Sequence, residues 1–177
     1  DVPYEMRRNL ELLLELLKPA AKIQWSPLSN LHITTKFVGE WPAGRLPELQ
    51  EAVGRVPAPG EIRISIRGIG WFPNPHHPRV LWAGISAPDT LASLARATDE
   101  VCAGLGIAAE NREFHPHLTL ARIKAPADLR ALRETIAGLP SADFGAYTAT
   151  HFHLYESRLS PGGSIYTKLS SYPLAQP

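Results

Sequence analysis

Two apolar runs in this chain each carry one polar pair at the same spacing. N-L-H-I-T-T-K-F-V-G spans Asn30 to Gly39, and F-H-P-H-L-T-L-A-R-I spans Phe114 to Ile123. The pairs are His32-Ile33-Thr34 and His117-Leu118-Thr119. In a strand, residues two apart share a face. His32 therefore sides with Thr34, and His117 with Thr119, while Ile33 and Leu118 turn toward a core. The copies stand nearly half of the 177-residue chain apart. This spacing predicts a duplicated arrangement, two lobes that each supply one strand, with the polar faces meeting across a cleft.

The rest of the chain alternates helices with strands. Leu10, Leu13, Leu14 and Leu17 recur at helical spacing over Tyr4 to Lys18, and Pro19 follows. Helices are also expected over Leu46 to Val53, Asp89 to Leu105 with Asp89 as N-cap, and Asp128 to Ala137. Strands are expected over Ile23 to Trp25, Leu31 to Val38, Glu61 to Ile69, Val80 to Ser86, His117 to Ile123, Tyr147 to Tyr155 and Ile165 to Leu169. The Pro-rich stretch Phe72 to Pro78 reads as a loop, and S-P-G-G at Ser160 to Gly163 as a hairpin turn. Interleaved helices and hairpins predict an α+β fold with mostly antiparallel sheet. No linker divides the chain, so residues 1–177 are expected to form one domain.

Composition narrows the function. A net charge of +1 is no footprint for wrapping long nucleic acid, though a local anion site is compatible with it. The single cysteine, Cys102, rules out a disulfide framework and a cysteine zinc site. No apolar run reaches membrane-span length, so no membrane partner is expected and the cytoplasm is the default compartment.

Two imidazoles across a cleft form an acid–base pair. An ordinary histidine titrates near pH ~6.5, so one ring can be neutral while the other is protonated. The neutral ring takes a proton from water, and the protonated ring gives one to a leaving oxygen. Threonine hydroxyls can donate to phosphate oxygens between them. No metal or other cofactor is required. A single His-x-Thr is ordinary on a half-exposed sheet; two copies in matched apolar settings point to a site.

With its neighbours, the pattern resembles a known family. H-I-T-T-K-F-V-G and P-H-L-T-L-A-R look like the paired motifs of the two-histidine phosphoesterases, more narrowly the RNA 2′,3′-cyclic phosphodiesterases, also called 2′-5′ RNA ligases. P-R-V-L-W-A-G-I from Pro78 and L-Y-E-S-R-L-S-P-G-G-S-I-Y from Leu154 agree with this. The resemblance implies a bilobal α+β fold with a pseudo-twofold axis, two antiparallel sheets facing a central cleft and helices outside. It implies opening of a terminal 2′,3′-cyclic phosphate of RNA, tRNA fragments included, to a 2′-phosphate by a monomer. By motif position His32 would be the general acid and His117 the general base. Thr34 and Thr119 would hold the phosphate, with Arg122 assisting. Family members carry a strand of the type R-L-F-V-A-I before a D-x-P; here D-V-P stands at Asp1 to Pro3. Either the numbered chain omits that strand or one sheet runs a strand short. The same residues fit three other readings: reverse 2′-5′ ligation, a phosphoesterase for small cyclic nucleotides or ADP-ribose cyclic phosphate, and a non-catalytic RNA-end binding module.

Lys36 has the parity of His32 and Thr34 and is a candidate for cleft charge, against a solvated strand end. Arg122 has the wrong strand parity to join His117 unless the strand twists or bulges. Phe72, Trp82 and Tyr155 are candidates to stack on a nucleobase, Phe72 foremost. His115, His76-His77 and His151-x-His153 offer short histidine pairs without a recognised carboxylate partner, so no metal site is expected.

Overall fold

The computed structural model describes residues 2–161 and 163–175. Helix α1 (Tyr4–Leu17) forms where the leucine stripe predicts. Leu10, Leu13, Leu14 and Leu17 are at most 4% exposed, while Leu12 and Leu16 on the far side are about half exposed. Burying each of these leucines contributes roughly 1.5–3 kcal/mol. Pro19 ends the α-helix in a single 3-10 turn, Lys18–Ala20.

Among the described residues seven strands form: β1 (Gln24–Trp25), β2 (Ile62–Phe72), β3 (Val80–Ser86), β4 (His117–Arg122), β5 (Asp143–Ala149), β6 (His151–Ser160) and β7 (Gly163–Pro173). All pairings are antiparallel. Five strands form one sheet in the order β1-β4-β3-β2-β5, and β6-β7 form a second. The fold is α+β with two antiparallel sheets of unequal size.

The helices divide between the sheets. Helix α1 packs on β5 and on α4 (Arg130–Ala137). Its leucines join Ile66, Leu81, Leu118, Leu120 and Ala121 in one core beneath the larger sheet. Helices α2 (Leu46–Gly54) and α3 (Asp89–Gly104) back the smaller sheet, where Leu49, Val53 and Cys102 meet Leu154. A third cluster, Ile62, Ile64, Leu91, Leu94 and Leu174, joins the two. No helix among the described residues is long and apolar enough to cross a membrane.

Four local expectations are corrected. Leu31 to Val38 is not a strand: a 3-10 turn at Leu28–Asn30 lifts the chain off the sheet, and only Ile33 returns, in an isolated bridge to Leu118. Tyr147 to Tyr155 is not one strand. It breaks at Thr150, whose carbonyl accepts from Leu174, and the chain passes there from the larger sheet to the smaller. Phe72 ends β2 rather than opening a loop. Asp89 lies in the first turn of α3, with Pro88 at the cap position; a carboxylate there still complements the helix dipole.

Candidate active site

The lone bridge between Ile33 and Leu118 is antiparallel. One step either way along its register sets His32 opposite Thr119 and Thr34 opposite His117. Residues opposite each other share a face, so the four polar side chains form a square on one surface. Leu118 lies beneath it, fully buried, and Ile33 packs into the same core. The imidazoles occupy one diagonal of the square and the hydroxyls the other. Diagonal neighbours in an antiparallel pair stand about 7–8 Å apart at the backbone, within joint reach of one small group for side chains as long as histidine. The two segments thus lie side by side, not on opposed walls as the two-lobe expectation had it.

Both rings are held alike. His32 Nδ1 lies 2.7 Å from the Asn30 carbonyl oxygen, and His117 Nδ1 lies 2.7 Å from that of His115. A carbonyl only accepts, so each Nδ1 carries the hydrogen and donates. Each Nε2 is then left for chemistry, a base when the ring is neutral and a donor when it is protonated. Burial pulls the His32 imidazole below its ordinary value. The Asn30 carbonyl opposes this, and the charges of Arg122 and His117 add to the lowering.

Arg122 reaches the site face through a bulge. Leu81 pairs with Ala121 but Trp82 with Thr119, so Leu120 is an extra residue on β4. The consecutive residues Leu120 and Ala121 are both fully buried as a result. The alternation resumes one residue out of phase, which turns Arg122 to the side of Thr119 and His117. Strand parity alone assigned it the opposite face.

Each imidazole has an aromatic flank. Phe72 meets His117 edge-on at 5.0 Å between centroids and Trp82 at 5.1 Å. Trp82 lies across Gly70, where an added β-carbon would sit 2.1 Å from Cζ2 of the indole. Beside His117 a cleft of about 360 Å³ opens, its floor formed by Phe72, Trp82, Ile85 and Pro116, with Arg67 and His115 at the edge. On the other flank, Tyr166 of β7 lies 4.7 Å from His32 and Tyr155 of β6 lies 6.3 Å away. Tyr166 escaped the sequence reading, because its relation to His32 depends on how the β6–β7 hairpin docks. Asn30 fixes that docking, donating from Nδ2 to the Ser164 carbonyl at 2.7 Å.

Lys36 is not part of the square. Its ammonium is held by the Asp99 carboxylate and by the Ala108 carbonyl at 2.6 Å, against α3. The parity argument failed because Leu31 to Val38 is not a regular strand. The other histidines disperse. His76 and His77 lie in an exposed loop where their backbone N–H groups donate to Asn74, each at 2.9 Å. His151 and His153 stack in parallel at 6.4 Å on β6, and His153 is pulled down to about 4, chiefly by burial. Among the described residues, no three His, Cys, Asp or Glu side chains converge as a metal set would.

This geometry agrees with what the chain is similar to. The sequence model of the family described as LigT like Phosphoesterase matches residues 1–82 and 84–166. The chain belongs to the LigT-like phosphoesterase family. A relative from Methanothermobacter thermautotrophicus, named RNA 2′,3′-cyclic phosphodiesterase, is 34% identical over 98% of this chain and 95% of its own length. One of the same name from Thermus thermophilus is 34% identical over 98% of this chain and 86% of its own. Among solved structures, TT0787 of Thermus thermophilus superposes with a TM-score of 0.81 at 31% identity, over 98% of this chain and 93% of that one. Escherichia coli LigT complexed with 3′-AMP gives 0.79 at 28%, over 99% and 95%.

Proposed function

We propose that this LigT-like phosphoesterase hydrolyses RNA 2′,3′-cyclic phosphate ends to 2′-phosphates. The observation that carries the reading is the diagonal placement of two imidazoles across the Ile33–Leu118 bridge, each held at Nδ1 by a backbone carbonyl. His117 Nε2 takes a proton from water as its oxygen attacks phosphorus. The P–O3′ bond breaks, and the protonated His32 Nε2 delivers its hydrogen to O3′. Thr34, Thr119 and Arg122 hold the non-bridging oxygens. The Phe72–Trp82 cleft receives the terminal nucleoside. With an RNA 5′-hydroxyl in place of water, the same two rings join RNA ends: O5′ gives its proton to His117 and attacks phosphorus, the P–O3′ bond breaks with a proton from His32 to O3′, and a 2′-5′ linkage remains. We take tRNA fragments as substrates, and a cytoplasmic monomer as the acting form.

The decisive assay uses an oligonucleotide ending in a 2′,3′-cyclic phosphate, in excess EDTA, with 2′- and 3′-phosphate products resolved. The expected product is the 2′-phosphate at an undiminished rate. A 3′-phosphate product, or loss of turnover on chelation, overturns the reading. Tight binding without turnover selects an RNA-end binding module instead.

The lowered His32 sets a second expectation. To act as the acid it must be protonated, which its buried setting opposes in the free protein. A phosphate anion in the square favours the imidazolium and raises its pKa. Titrating the His32 ring by NMR with and without 2′-AMP should show the midpoint move to higher pH on binding. An unmoved midpoint removes His32 from the acid role.

A further inference from the structure

The two His-x-Thr segments are held very differently. His117 to Thr119 sits inside the larger sheet, with β3 pairing Gly84 to His117 and Trp82 to Thr119. His32 to Thr34 has one bridge, at Ile33. A single bridge fixes register poorly. A slip of one residue would place Ile33 on the site face and turn both polar side chains away.

Something else must set that register, and Lys36 is placed to do so. Its side chain is only 5% exposed, although it is a lysine two residues past Thr34. Its ammonium pairs with Asp99 of α3 and donates to the Ala108 carbonyl. Asp99 also accepts the Glu110 backbone N–H at 3.1 Å, which ties the carboxylate to the loop after α3. The pair is partly buried, the Asp99 side chain being 22% exposed; ion pairs withdrawn from water contribute little net stability, and their best-attested use is to select one registry. Upstream, the Asn30 side chain anchors to Ser164. The segment is thus pinned at both ends with His32 and Thr34 between the pins.

We infer that the Lys36–Asp99 pair locks the register of the first His-x-Thr segment, making Lys36 and Asp99 positioning residues for His32 and Thr34. The catalytic part of this inference rests on the proposed phosphodiesterase reading.

The test separates locking from plain stabilisation. Lys36→Met leaves Asp99 unpaired and should lower Tm. Lys36→Met with Asp99→Asn removes both charges, keeps an acceptor for Glu110, and should recover Tm. In that double variant kcat on the cyclic-phosphate oligonucleotide should stay at least tenfold below wild type. The proton–proton NOE between the His32 and Tyr166 rings, whose centroids lie 4.7 Å apart, should weaken in parallel. Recovery of both kcat and the NOE along with Tm overturns the lock. The NOE is read without turnover, so an inactive wild type would sink the phosphodiesterase reading and still leave the lock tested.

Discussion

His117→Ala lowers kcat on a 2′,3′-cyclic phosphate end by about two to four orders of magnitude, the usual worth of a positioned acid or base. His32→Ala does the same. Thermal stability should barely move: each ring is only partly buried and makes one hydrogen bond to a carbonyl, a loss of about 1 kcal/mol. The double variant should lose little beyond either single one, because an acid and a base serving one displacement act as a unit. Single-turnover rates alongside Tm check all three. A single variant within tenfold of wild type, folded, ends the two-imidazole mechanism.

Gly70→Ala carries the second large effect, on the wall beside the square. The new methyl would meet Cζ2 and Cη2 of Trp82 at 2.1 and 2.3 Å, a contact no side chain sustains. The indole must swing off β2, taking with it its contact to Phe72. Overpacking of this kind costs roughly 1–3 kcal/mol, and the cleft beside His117, the proposed nucleoside site, loses a wall. The expected result is a lower Tm, a changed near-ultraviolet circular dichroism spectrum and a KM raised about tenfold, one lost apolar contact being worth roughly that in affinity. An unchanged spectrum and KM would show that Trp82 does not shape the cleft.

The core of the candidate site was legible because strand parity is a local rule. His32, Thr34, His117 and Thr119 needed only the spacing of two and a common face. What lay beyond was set by register. Arg122 reaches the site because Leu120 is inserted into β4, and a bulge depends on the partner strand, which a single sequence does not display. Lys36 is the converse: its segment has one bridge, strand parity does not carry as far as residue 36, and its ammonium pairs with Asp99 instead. Tyr147 to Tyr155 reads as one alternating run, yet the chain changes sheets at Thr150. Either side of that point is apolar enough for a strand, and only tertiary pairing reveals the break. Helices α1 to α4 were found with ends off by a residue or two, since their stripes and stops are local.

The antiparallel bridge between Ile33 and Leu118 gives the square a local dyad. A bare phosphate placed there has two equivalent poses, exchanged by swapping the two imidazoles. The motifs therefore do not choose which ring oxygen departs. That choice falls to features the dyad does not repeat: Arg122 on one side only, a Phe–Trp shelf against one ring and two tyrosines against the other. Regiochemistry in such a protein is encoded in its flanks, and exchanging their aromatic residues is the route to reversing the product while leaving both histidines in place.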